Sequence, residues 1–249
     1  MSRSSIYSAI TLRVKPSGES NREAWFLTAE EGLLKATVFG GPKSKLRSCV
    51  APFHEGKLWI YHDPVRDSRK VTDFDVFFYR MGIREVYERA MTAGAVAETI
   101  LSFQGGGGNW KEAAQLSSSV LDALDAAGTE ACTGIAVYFF WHWAKILGLE
   151  PDLSACASCT CEVSRDEALW YSARSSALFC EKCIRRSEFS FRVSPGALRW
   201  LREIGSFPQA SFGEISSAPD AASLEQAKAL SQTVLAAALG KRLPTWEGI

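Results

Sequence analysis

The chain has 249 residues, 47% of them hydrophobic, and its 28 Lys and Arg balance 28 Asp and Glu. That length and apolar content suit two or three compact units with real cores, while a formal charge of zero argues against a generic polyanion binder. No stretch reaches the roughly 18 uninterrupted apolar residues of a membrane span; the closest, Ile135 to Trp143, is short and contains His142. Met1 to Lys15 lacks the basic start and continuous apolar run of a secretory signal, which points to a reducing cytoplasm. The charge is unevenly spread, with 13 Lys and Arg against 9 Asp and Glu over residues 1–80, then 4 against 9 over residues 81–155.

Residues 5–15 alternate, Ile6, Ile10, Leu12 and Val14 on one face and Tyr7, Thr11, Arg13 and Lys15 on the other, as in a half-buried strand with a basic outer face. Further strand-like runs cover Ala24 to Thr28, Leu33 to Phe39, Val50 to Tyr61 and Lys70 to Val76. Five short strands in so few residues predict a small barrel. Between the third and fourth, Gly40 to Arg47 reads as a turn followed by Lys43, Lys45 and Arg47 at alternate positions, which an extended chain would project to one side, as suits a phosphate backbone. A solvated basic loop is the commoner meaning of such a run.

From Phe77 the period lengthens, and Met81, Val86, Ala90, Ala93, Ala97 and Leu101 predict a long helix. Gly105 to Gly108 break it; a second helix runs from about Trp110 to Ala126 and a third from about Thr133 to Leu147, apolar nearly all round and so central to its bundle. Ser194 and Pro195 start another helix, which Gly205 can stop. Ser223 and Gln226 read as a capping box for a last helix ending near Gly240.

The strongest chemical signal lies between these helices. Cys156-Ala-Ser-Cys159 and Cys180-Glu-Lys-Cys183 are two matched knuckles separated by the 20 residues Thr160 to Phe179. That spacing lets four thiolates close a tetrahedron around one zinc ion, with no coordination position left for a reacting water, so the ion is read as structural. Cys161 offers an alternative to Cys159, although the two-residue gap favours Cys159. Cys49 and Cys132 stand alone in apolar surroundings and read as core residues.

Catalytic patterns are missing. The four glycines lack the Gly-Lys-Ser/Thr of a phosphate loop, His54-Glu55 has Leu58 where a metalloprotease helix needs a second histidine, and Ala155 precedes Cys156 where a deaminase needs proline. His54, His62 and His142 are the only histidines; none neighbours a nucleophile, and His142, between Trp141 and Trp143, reads as a hydrogen-bonded core residue. The expectation is a protein that is not an enzyme.

Taken in order, these features resemble one family, the bacterial recombination mediator RecO. The resemblance is carried by Leu12 to Ser20, by Gly32-Leu33-Leu34-Lys35 followed by Gly41 to Leu46, by Pro52-Phe53, by Leu147 to Leu153 leading into Cys156, and by Ser194-Pro195-Gly196-Ala197-Leu198. It implies an α+β chain made of a five-stranded OB-fold barrel at 1–77, an α-helical domain at 78–151 and 188–249, and an inserted four-cysteine zinc module at 152–187. It further implies a cytoplasmic, nucleoid-associated factor that binds single- and double-stranded DNA, anneals complementary strands, associates with RecR and with the acidic C-terminal tail of single-stranded-DNA-binding protein, and helps load RecA.

OB-folds combine cationic grooves with aromatic platforms, and the residues expected on DNA are Arg13, Lys15, Lys35, Lys43, Lys45 and Arg47, with Arg185 and Arg186 as a second patch. Trp25 and Phe39 are candidate stacking platforms, although core packing is the commoner fate of an aromatic in a small barrel. The second signature carries fewer arginines before its proline than is usual in the family, which predicts a weaker DNA face, and the tract from Tyr61 to Pro64 is short where many relatives have a longer basic hairpin, with Arg66, Arg69 and Lys70 as the residues that could compensate. Two other functions are compatible with the residues alone: a zinc-stapled scaffold whose barrel contacts a protein, and an RNA-binding accessory factor.

Overall fold

The computed structural model describes residues 4–41, 44–164, 166–185, 190–206 and 219–249, and the chain divides into two compact units, Met1–Ala126 and Ala127–Ile249. In the first, five strands close a barrel in the order β1-β2-β3-β5-β4: β1 Ser4–Ser17, β2 Asn21–Thr28, β3 Gly32–Val38, β4 Glu55–Asp63 and β5 Ser68–Phe78. All pairings are antiparallel except β3 with β5, which meet in parallel at Thr37 and Lys70. This is the strand order of a five-stranded Greek-key OB barrel. Tyr7, Ala24, Phe26, Leu34, Val38, Leu58, Ile60, Val71 and Phe74 fill its interior, Phe26 meeting Phe74 edge-on at 6.0 Å.

Period-two alternation explains which side chains go inside, and two glycines explain how the strands close. A Cβ on Gly56 would lie 2.0 Å from the Asp75 carbonyl oxygen, at the bulge where β4 leaves register with β5. Gly32, with φ of +71° at the β2–β3 turn, sits where a Cβ would strike the Trp110 indole at 2.6 Å.

The structure departs from the expected elements in three places within this unit. The strand expected over Val50 to Tyr61 begins only at Glu55, because Phe53 takes a left-handed φ of 71° and bonds back to Thr11. Lys45 and Arg47 lie on a short helix, α1 Lys45–Cys49, and not on an extended run. Residues two apart on a helix diverge by about 200°, so they do not share a face; Lys43 lies outside the described residues. The helix expected from Phe77 starts at Tyr87, since β5 continues through Phe78, Arg80 adopts φ 45° and ψ 52°, and a 3-10 turn follows at Met81–Arg84. Helices α2 Tyr87–Ser102 and α3 Trp110–Ala126 then pack within the barrel's own unit.

Arg80 explains that packing. Its side chain is 2% exposed and donates to Glu55 at 2.5 Å, to Asp122 at 2.7 Å, to the Ser118 hydroxyl at 2.9 Å and to the Phe53 carbonyl at 3.1 Å. Ser118 also donates to Glu55 at 2.6 Å. A buried guanidinium is tolerable only when its donors are matched, and these partners come from β4, α3 and the segment between α1 and β4.

In the second unit, α4 Cys132–Ile146 is buried on nearly every side and packs against α6 Ala221–Leu239 and α5 Pro195–Ser206. Phe139 stacks on Trp143 and Phe140 meets Trp246, both at 5.4 Å. His142 is the expected core residue: Nε2 donates to the Ile204 carbonyl at 3.0 Å, and burial pushes its pKa down to about 4, keeping the ring neutral. Ser194 caps α5 through the Ala197 amide, but Gly205 lies inside that helix. The expected capping box is not formed. Asp220 caps α6 by accepting from the Ser223 amide at 3.0 Å, while Gln226 accepts from the Ser194 amide at 2.6 Å. Gly240, with φ of 70°, closes α6 as expected. Between α4 and α5 lies the cysteine module with a small antiparallel sheet, β6 Leu169–Ser172 flanked by β7 Ala177–Phe179 and β8 Ser190–Val193. No helix of the described residues is long and apolar enough to cross a membrane.

Arg80→Ala should cost about 3–5 kcal/mol, because it leaves Glu55 largely buried without its cation. The measurement is urea unfolding of the full chain followed by tryptophan fluorescence; a loss below about 1 kcal/mol, the worth of a surface ion pair, would contradict a structural role for this network.

Candidate nucleic-acid interface and metal centre

Cross-strand pairs in a sheet share a face, so the register identifies what the barrel presents outward. Trp25 on β2 lies opposite Arg13 on β1 and Lys35 on β3, and Lys15 lies opposite Glu23. Because Ala24 and Phe26 point inward, Trp25 points out, and the ammonium groups of Lys15 and Lys35 lie 5.8 and 5.2 Å from its ring centroid. Such contacts are worth about 0.5–1 kcal/mol at exposed sites and hold flexible lysines beside an aromatic plane.

The same arrangement recurs on β4. Leu58 and Ile60 are buried, which turns Lys57, Trp59 and Tyr61 outward; Lys57 lies 5.4 Å from the Trp59 ring and Lys70 lies 4.7 Å from the Tyr61 ring. The parallel contact of Thr37 with Lys70 joins the β3 edge to β5 and continues the cationic and aromatic surface around the barrel. Acids interrupt it: Glu23 pairs with Lys35 at 2.8 Å in a partly exposed bridge, and Asp73 and Asp75 lie opposite Trp59 and Lys57. The Glu23 pair is weak enough to yield to a competing anion.

Of the residues expected on DNA, the structure brings Arg13, Lys15 and Lys35 together around Trp25, whereas Lys45 and Arg47 sit on α1. Lys43 and Arg186 fall outside the described residues. Phe39 is 51% exposed, and neither it nor Trp25 is a barrel core residue. Sequence reading missed Lys57, Trp59 and Tyr61. The signal was there, since Gly56, Leu58 and Ile60 alternate with them, but these residues lay inside a strand read as one apolar run from Val50.

In the second unit the two knuckles converge. The Sγ atoms of Cys156, Cys159, Cys180 and Cys183 all lie within 4.8 Å of one another, with Cys159 and Cys180 3.9 Å apart. A tetrahedron of metal–thiolate bonds about 2.3 Å long separates its sulfurs by about 3.8 Å, so this donor set could hold a metal ion. Local bonds shape each knuckle: the Thr160 amide bonds to the Cys156 carbonyl at 2.9 Å, and the Cys183 and Ile184 amides both bond to the Cys180 carbonyl at 3.1 Å. The Ala157 amide bonds to the Leu178 carbonyl at 2.9 Å and ties the first knuckle to β7. Burial opposes ionisation of Cys156, but backbone hydrogen bonds from Cys159 and Cys180 overcome it and bring the thiol to about 6. Cys161 stands outside the mutually close four, its thiol 3.1 Å from the Cys159 sulfur.

With barrel and cysteine cluster placed, comparison with known proteins gives a consistent answer. A family model described as Recombination protein O N terminal matches residues 1–77, and one described as Recombination protein O C terminal matches residues 84–247. The family boundary therefore falls just after the barrel, whereas packing carries α2 and α3 with the barrel to residue 126. Similar curated proteins include the DNA repair protein RecO of Rubrobacter xylanophilus, 29% identical over 81% of this chain and 80% of that protein. The DNA repair protein RecO of Bacillus subtilis is 23% identical over 83% and 79%, and that of a Synechococcus strain 26% identical over 83% and 71%. The chain belongs to the RecO family of DNA repair and recombination proteins.

Proposed function

We propose that the chain is a non-catalytic DNA-binding mediator that anneals complementary single strands and helps load RecA onto strands coated with single-stranded-DNA-binding protein. The observation that carries the DNA-binding part is the outward surface of the barrel, where Trp25, Trp59 and Tyr61 each lie beside one or two lysines. An aromatic plane accepts any base, a flanking lysine neutralises the adjoining phosphate, and neither reads sequence, which is what an annealing factor requires. Two strands held with their charges neutralised lose much of the repulsion that opposes pairing. RecR and the acidic C-terminal tail of single-stranded-DNA-binding protein are proposed as protein partners, and a cytoplasmic, nucleoid-associated location as its place in the cell, on the family resemblance alone.

The two contributions separate experimentally. Trp25→Ala should weaken binding of a single-stranded oligonucleotide by about 1–3 kcal/mol and leave the salt dependence unchanged, since stacking releases no counterions. Lys35→Ala should flatten the plot of log affinity against log salt by about 0.7. Fluorescence anisotropy titrations between low and moderate salt read both, and unchanged affinity and slope in both variants would remove this face from the DNA site.

We also propose that the cysteine cluster holds one structural zinc ion through Cys156, Cys159, Cys180 and Cys183. When bound, the ion would staple the two knuckles; these thiols fix the β6–β7 hairpin to the chain entering from α4. Metal content by mass spectrometry should be one zinc per chain in the wild type and in Cys161→Ser, and lost in Cys180→Ser together with local stability on the order of 10 kcal/mol. Loss of zinc in Cys161→Ser with retention in Cys159→Ser would reassign the fourth ligand.

A further inference from the structure

At the end of the barrel where β1 turns into β2, a cavity of about 300 Å³ is lined by Lys15, Glu19, Ser20, Asn21, Arg22 and Arg47. It brings together cations from three places in the chain: β1, β2 and α1. Arg22 donates to the Arg47 backbone carbonyl at 3.4 Å, which seats its guanidinium against the end of α1. Neither Arg22 nor Arg47 has a carboxylate partner among the described residues. Glu23, which follows Arg22, is engaged by Lys35.

Two guanidinium groups that line one partly enclosed space repel one another. Burial, and then the Arg47 charge, lower the pKa of Arg22. An anion between them turns that repulsion into charge-assisted hydrogen bonds, and arginine's planar fork matches a phosphate better than lysine's point charge does. At about 300 Å³ the cavity is several times larger than the roughly 30 Å³ that one water occupies. Lys15 belongs to this cavity and also flanks the Trp25 ring. Arg22 leaves β2 on the face opposite Trp25, at the barrel's end, so Lys15 is the residue that joins the cavity to the aromatic ring.

We propose that this cavity is a phosphate subsite for single-stranded DNA, in which Arg22 and Arg47 grip one phosphate, Lys15 bridges to the next position, and the neighbouring base stacks on Trp25. It rests on the DNA-binding reading above and adds to it a defined anchor point, with Arg22 as a contact the sequence reading did not include. The phosphate is either an internal phosphodiester or the terminal phosphate of a strand; the chemistry is shared.

The test compares wild type, Arg22→Gln, Arg47→Gln and the double variant, with Lys111→Gln as a control on the exposed surface of α3. Each is titrated with one oligonucleotide carrying a 5′ phosphate and the same oligonucleotide without it, across a range of salt. Each single substitution should weaken binding about tenfold, the worth of one charge-assisted hydrogen bond, and the double variant, which loses the one phosphate contact, should flatten the salt slope by about 0.7. Equal losses on both oligonucleotides identify an internal phosphate, and losses confined to the phosphorylated one identify a terminal phosphate.

Arg47→Gln keeps the test decisive should Arg22→Gln fail to fold, because the Arg47 guanidinium makes no hydrogen bond or ion pair with any described residue. Wild-type affinity and slope in Arg47→Gln would overturn the subsite while leaving DNA binding by the barrel intact. A wild-type chain that binds neither oligonucleotide at any salt would overturn the underlying reading together with the subsite.

Discussion

A buried arginine organises the first unit. Arg80 holds a left-handed backbone conformation at the end of β5, and its guanidinium is matched by Glu55, Ser118, Asp122 and the Phe53 carbonyl. Because those partners lie on β4, on α3 and in the turn before β4, the barrel and α3 satisfy one charge together. Arg84 extends the arrangement by donating to the Pro52 carbonyl at 3.1 Å and meeting His54 Nε2 at 3.3 Å, while His54 Nδ1 bonds to the Cys49 carbonyl at 2.8 Å. Burial, with the Arg84 and Arg80 charges adding to it, lowers the His54 pKa against the opposing pull of that carbonyl and keeps the ring able to accept from Arg84. The segment from Cys49 to His54 is thereby pinned from both ends. It follows directly on α1, and α1 carries Arg47, so the cation pair proposed to grip phosphate is positioned by the same network that joins barrel to helices.

How much of this was legible in the residues differs by element. The barrel strands were readable because alternation is a local property, but the faces expected for β1 are met only in part. Ile10 and Leu12 are buried as expected, whereas Ile6 is 51% exposed and Tyr7 and Thr11, expected outside, are buried, because the bulge between Thr11 and Arg13 changes the phase along the strand. The apolar helix containing His142 was equally plain, since nothing but a bundle core accepts aromatics on every side. The errors fell where a long-range partner decided the local conformation. Phe77 and Phe78 have the composition of a helix start, yet pairing with Glu55 extends β5 through them. Ser223 and Gln226 have capping-box spacing, but Asp220 supplies the cap and Gln226 is drawn to the Ser194 amide at the start of another helix.

The candidate site shows the same division. Two Cys-x-x-Cys knuckles announce themselves, because the chemistry of four thiols requires only that the loop between them return, and the four sulfurs do converge. The cationic face is harder to read, since its members become neighbours through register. Arg13, Trp25 and Lys35 are separated by 10 or more residues and meet only because β1, β2 and β3 pair as they do. Reading Lys43, Lys45 and Arg47 as an extended row followed from their spacing; α1 then turned Lys45 and Arg47 apart and brought Arg47 beside Arg22, a residue with no sequence motif to mark it.

Zero net charge and a proposed DNA-binding role are compatible on this surface because lysines and aromatics alternate with acids, so affinity would come from a few aligned contacts and not from bulk attraction. The central claim is that this face brings complementary strands together. It is tested most directly by annealing two complementary labelled oligonucleotides precoated with single-stranded-DNA-binding protein, with the full chain present or absent, at two salt concentrations. The account predicts acceleration that weakens as salt rises. No acceleration by a folded, zinc-loaded chain would contradict it and favour a barrel that docks protein instead.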